Sequence, residues 1–261
     1  IKEEVDIPQN KPNIREILWS SVELRNIETK AVGDKIYVRG EVEIFVIYKG
    51  QEEHLPIQYL FSARTISKEL ECAGANEDMI LEAECKMGKG DVSVRQDADG
   101  EDRVIGVDYN VDMEIKMYED KEIRLLSDLY SPQAEIEPET ESFSYENLLM
   151  RNLAKAKINH RKRIAGDEAK LLQICHIYGS VEIDDIDIQA NQVAVSGIVK
   201  TCILYISADD EPMNCMEVDI PFNYDVETMS LSKEDAVRIV PGLDQLGATL
   251  LNSEEVEIKA Q

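Results

Sequence analysis

A chain of 261 residues has room for one large or two ordinary domains, and with 43% hydrophobic side chains each of two could bury its own core. The formal charge of −25, from 53 acidic and 28 basic side chains, excludes DNA, RNA and anionic lipid as expected partners, because those are held through basic surfaces that release counterions. No run of 18 apolar residues occurs, so no helical membrane insertion is expected.

The chain opens at Ile1 inside a charged segment with no initiator methionine or signal peptide, which reads as a fragment of a longer cytoplasmic protein. After Pro8 and Pro12, residues 13–18 read as one helical turn, and strands are expected over 22–31, 35–48, 54–61, 79–87, 91–96 and 103–118. In 35–48 the even positions Ile36, Val38, Gly40, Val42, Ile44, Val46 and Tyr48 share one face, while Lys35, Arg39, Glu41 and Glu43 point to water. A glycine inside that apolar face has nothing to pack and marks a bulge or a bend. The turn DADGED (97–102) holds Asp97, Asp99 and Asp102, oxygens enough to suggest calcium. It lacks the spacing of an EF-hand loop and reads as a hairpin turn, where Asp and Gly tolerate left-handed backbone angles.

Residues 131–152, rich in proline and acids, read as a linker, with an unassigned short element at 144–153. Arg151, Lys155, Lys157, Arg161, Lys162 and Arg163 then form a basic strip with no acid among them. It reads either as a docking strip for an acidic partner, a second copy of the chain included, or as a solvated strand paired with the molecule's own acids. Further on, QVAVSGIVKTCILYIS (192–207) repeats the layout of 35–50 without a gap. Gly197 matches Gly40 and Tyr205 matches Tyr48, each 157 positions on. Around it, 22–31 matches 181–190, and 60–62 matches 221–223. The chain is therefore expected to be mainly β, with two tandem antiparallel β-sandwich or open-barrel domains of like fold over 1–134 and 135–261. Each is expected to start with a short helix or turn, and the second to be truncated at its C-terminal strand.

Nothing in the sequence spells a catalytic, cofactor or metal site, so the chain is not expected to be an enzyme. Ser230 and Lys233 form S-x-x-K without the S-D-N and K-T-G partners that motif requires, and His54, His160 and His176 are scattered. Five cysteines without a C-x-x-C suit a reducing compartment. Cys202 and Cys215 flank a turn, where a disulfide or half a zinc site is conceivable; buried free thiols are the expectation.

Three stretches of the first half, VDIPQNKPNIREIL (5–18), DKIYVRGEVEIFVIY (34–48) and LPIQYLFS (55–62), resemble the SPOCS domain, a β-rich repeat of spore-coat morphogenetic proteins from Clostridia and relatives. DEAKLLQICHIYGSVEI (167–183), VAVSGIVKTCILY (193–205) and VDIPFNY (218–224) resemble a diverged second copy, and YSPQAEIE (130–137) the segment between repeats. The resemblance implies a non-enzymatic scaffold of spore-coat assembly, working in the mother-cell cytoplasm at the forespore surface. Its implied partners are the coat's basement-layer ATPase and other coat proteins. Such proteins usually add a C-terminal LysM module, no pattern of which occurs here. The alternative is a carbohydrate- or peptidoglycan-binding sandwich, disfavoured by 6% aromatic residues and a single Trp19.

Overall fold

The two glycine-containing stretches form the central strands of two long meanders. The computed structural model describes residues 1–51, 57–126, 128–135, 137, 139, 141, 142, 144, 146–164, 170–207, 213–229 and 231–261. In the first half the strands are β1 (Lys2–Asp6), β2 (Ile14–Val32), β3 (Lys35–Gly50), β4 (Ile57–Glu71), β5 (Ile80–Met87), β6 (Asp91–Arg95), β7 (Val104–Asp108) and β8 (Val111–Tyr118). The second half holds β9 (Ile158–Arg163), β10 (Leu171–Gln189), β11 (Gln192–Ser207), β12 (Asn214–Glu227), β13 (Leu246–Asn252) and β14 (Glu255–Ala260). The fold is all-β and antiparallel. Sheet β2-β3-β4 packs against β1-β7-β6, and the second half repeats the plan with β10-β11-β12 and β9-β14-β13.

The even face of β3 is buried as its alternation requires, but it serves two cores. Val42, Ile44, Val46 and Tyr48 pack with Val5, Ile7, Ile105 and Val107, whereas Ile36 and Val38 pack with Ala31, Ala75 and Leu81 beside the β5-β8 pair. Gly40 falls between them. The buried Tyr48 hydroxyl donates to the Pro12 carbonyl at 3.3 Å, and burial pushes its phenol up to about 12. In β11, the buried Thr201 is satisfied by donating to the Val218 carbonyl at 2.8 Å.

Both glycines sit against bulges carried by the neighbouring strand. Opposite Gly40, β2 bulges between Arg25 and Glu28, with Asn26 at φ 50°; opposite Gly197, β10 bulges between Ile183 and Asp185. Each meander carries three bulges, in β2 at Ile14/Glu16, Ile17/Trp19 and Arg25/Glu28, and in β10 at Leu171/Gln173, Ile174/His176 and Ile183/Asp185. The 157-residue spacing therefore runs through β2 and β10 as well, placing Arg25 with Glu182 and Glu28 with Asp185. This corrects the match of 22–31 to 181–190. A slip of two leaves every side chain on its own face, so alternation alone could not detect it. Likewise Leu60, opposite Val46, corresponds to Met216, opposite Ile203, and not to Pro221.

Other local expectations change. Residues 14–18 are strand, because Ile14, Glu16 and Ile17 pair with Gly50, Lys49 and Tyr48 of β3; the turn lies earlier, where the Lys11 N–H donates to the Pro8 carbonyl at 2.9 Å. The stretch 103–118 divides at Tyr109–Asn110, sending β7 and β8 to different sheets, and the described part of 144–153 is irregular. Of the strand expected over 54–61, residues 54–56 lie outside the described residues. Among the described residues the β5-β8 pair has no counterpart in the second half.

Candidate functional site

The structure divides the basic strip. Arg151 lines a shallow hollow of about 390 Å³ with Thr29, Glu77, Met79 and Leu81 of the first half. Lys155 pairs with Asp244 at 2.8 Å, and Arg161 pairs with Glu257 of β14 at 3.4 Å. A hydrogen bond from Lys259, with help from Arg161, holds the Glu257 carboxyl below its ordinary range. Arg161, Lys162 and Arg163 lie on β9, which has β14 on one side and occupies an edge of its sheet. Cations on an open edge repel stray strands, so part of this charge protects the sheet. Among the described residues, Arg151, Lys157, Lys162 and Arg163 have no ion-pair partner.

A second site brings together residues the sequence left apart. Trp19 and His176 occupy the same position of the two repeats, each just after a bulge, and their rings lie 6.3 Å apart. His176 stacks on Phe45 at 4.0 Å with 6° between the planes, and Trp19 packs against Phe45 at 5.9 Å and Tyr178 at 5.4 Å. Beside them, Gln173 Nε2 donates to the Tyr59 hydroxyl at 2.7 Å, and Lys11 donates to the Tyr59 carbonyl with its ammonium 4.5 Å from that ring. Arg25, only 9% exposed, pairs with Glu23 and Glu43 and donates to the Leu243 carbonyl at 2.6 Å. Arg238 reaches back to Glu82 and Glu84 at 3.0 Å each. These contacts join the two halves through aromatic packing and cross-joint hydrogen bonds.

The joint perturbs its own titratable groups. Burial, then the nearby Arg25 charge, pushes His176 down to about 4. Its Nε2 atom is buried without a hydrogen-bond partner. Burial raises Glu43 above the ordinary carboxylate range. One sequence signal pointed here: IFVIY (44–48) breaks the alternation of β3 with five successive apolar residues, all buried, because this end of the strand has cover on both faces.

The cysteine expectation is corrected: Cys202 and Cys215 are joined by a disulfide. The register sets Cys202 opposite Glu217 and Leu204 opposite Cys215, so the two cysteines are diagonal neighbours on one face with Cα atoms 6.4 Å apart. Cys72, Cys85 and Cys175 are free and half-buried. DADGED is a turn: Asp97 accepts from the backbone N–H groups of Asp99 and Glu101 at 3.0 Å, and Gly100 adopts φ 81°. Among the described residues, no three His, Cys, Asp or Glu side chains are grouped to hold a metal. His54 and Ser230 lie outside the described residues.

A family model described as SipL, SPOCS domain, matches residues 13–95 and again residues 170–251, well over half of the chain. The chain belongs to the SPOCS-domain family. The two matches begin 157 positions apart (13 and 170), the spacing of Gly40 and Gly197. Membership points to a sporulation-related protein module. The joint is thus a contact between SPOCS repeats, with Trp19, Phe45 and Tyr59 from the first and Gln173, His176 and Tyr178 from the second. The basic strip falls between the two matched stretches. No curated protein and no solved structure matches the chain.

Proposed function

We propose that the chain is a non-enzymatic interaction module of a spore-coat assembly protein, a scaffold that works at the forespore surface in the mother-cell cytoplasm. The observation that carries this reading is the paired SPOCS match. Its partners are other coat proteins, first among them the basement-layer ATPase that the family resemblance implies. Lys162 and Arg163 on an edge strand and Lys157 just before it, without ion-pair partners among the described residues of a chain of charge −25, support this end of the strip as the contact surface, since unpaired positive charge steers an acidic partner. The glycan-binding alternative is weaker, because the single tryptophan is packed within the joint.

The test is binding of this chain to the purified ATPase across salt. Neutral glutamines at Arg151, Lys157, Lys162 and Arg163 leave the Lys155 and Arg161 pairs intact. Rim charges contribute up to about 1 kcal/mol each, so the four together are expected to weaken binding about tenfold and to flatten its salt dependence. Binding unchanged by both salt and substitution would remove the strip as the contact surface. Absence of binding by the unaltered chain would remove the ATPase as its partner.

A further inference from the structure

We propose that the joint between the two SPOCS repeats is an acid-released latch, in which protonation of His176 drives its ring out of the stack on Phe45 and lets the halves part. Three observations converge on this residue. Its ring lies flat on Phe45 at 4.0 Å, its Nε2 is buried with no hydrogen-bond partner to accept from the N–H that protonation would create, and Arg25 beside it is itself buried. A proton taken from solvent at Nε2 would place a second positive charge in a desolvated aromatic contact. Opening uncovers Trp19, Phe45 and Tyr178 together.

The ionisable groups gathered at the joint come from every element packed there: Lys11 from the turn before β2, Glu23 and Arg25 from β2, Glu43 from β3, Tyr59 from β4, and Cys175 and Tyr178 from β10 itself. Around the aromatic stack His176 and Glu43 are displaced, and they act in opposite directions. His176 is depressed from 6.5 to about 4, so the open form takes up the proton more readily and the latch weakens as pH falls through that window. Glu43 is raised, so the closed form takes up its proton more readily and acid favours closure there. Glu43 is common to the unaltered chain and to a His176→Phe form, so comparing the two isolates the His176 contribution. Through His176 alone, moving from about pH 7.5 to about pH 5 is expected to raise the opening equilibrium about thirtyfold.

The half-buried thiol of Cys175, one residue from His176, reports opening. Its reaction with a pyridyl disulfide is followed in a Cys72→Ser, Cys85→Ser background, with and without His176→Phe, so that ordinary thiol ionisation cancels in the ratio. The rate with His176 in place, divided by the rate of the His176→Phe form, is expected to climb about thirtyfold from about pH 7.5 to about pH 5. A ratio that stays flat or falls overturns the proposal. Should the substituted chain lose its β-sheet circular dichroism, proton NMR of the imidazoles in the unaltered chain decides instead. Titration of His176 near 4 supports the latch, and titration near the ordinary 6.5 overturns it.

Discussion

Phe45→Ala is expected to cost about 3 to 5 kcal/mol and to divide one unfolding transition into two. Phe45 is 1% exposed, yet it lies on the face of β3 that points away from the first repeat's own core. Its ring is covered by Trp19 and Tyr59 from the same repeat and by His176 from the other. Truncation therefore removes burial and opens a cavity in the aromatic contact between the repeats. The unaltered chain should unfold in urea as a single cooperative body, and the variant should lose the second SPOCS repeat's signal separately from the first. A single transition shifted by less than about 1 kcal/mol would show that Phe45 does not couple the repeats.

The glycines separate in their effects although they occupy the same position. A methyl at Gly197 would collide with the Glu182 carbonyl oxygen and meet the Phe222 ring at 3.0 Å, so backbone must move. At Gly40 the nearest atom is the Leu24 Cδ1 methyl at 3.2 Å, the far end of a flexible side chain, which can turn aside. Gly197→Ala is expected to destabilise by about 2 to 3 kcal/mol and Gly40→Ala by less than about 1 kcal/mol. Urea midpoints at constant slope check both. Equal costs would mean that the two bulges do not differ in how closely they press on the central strand.

Alternation was the legible part of this fold. The even positions of 35–48 and the odd positions of 193–203 point inward because strand period is fixed by covalent geometry, and the 157-residue repeat followed from it. The bulges were not legible. Asn26 at φ 50° and the slips before Trp19 and His176 arise from how β2 and β10 meet their neighbours, and nothing local in Ile17–Trp19 announces them. Because those bulges aim Trp19 and His176 at one another, the joint stayed hidden; only the apolar run at Ile44–Tyr48 hinted that β3 had cover on both sides. The basic strip was visible as composition, whereas the pairing of Lys155 with Asp244 and Arg161 with Glu257 depended on distant residues. The disulfide required the β11–β12 register, which a turn length alone does not give.

That two SPOCS repeats form one body, held by the joint and not by the connecting chain, is open to a direct test. Trypsin can cut the connection after the exposed Arg124 or Arg151, neither of which touches the joint. Size-exclusion chromatography of the nicked protein should then give one species at the intact mass of 29.6 kDa, and the Phe45→Ala form should fall apart under the same treatment. Two separate fragments from the nicked unaltered protein would contradict the account.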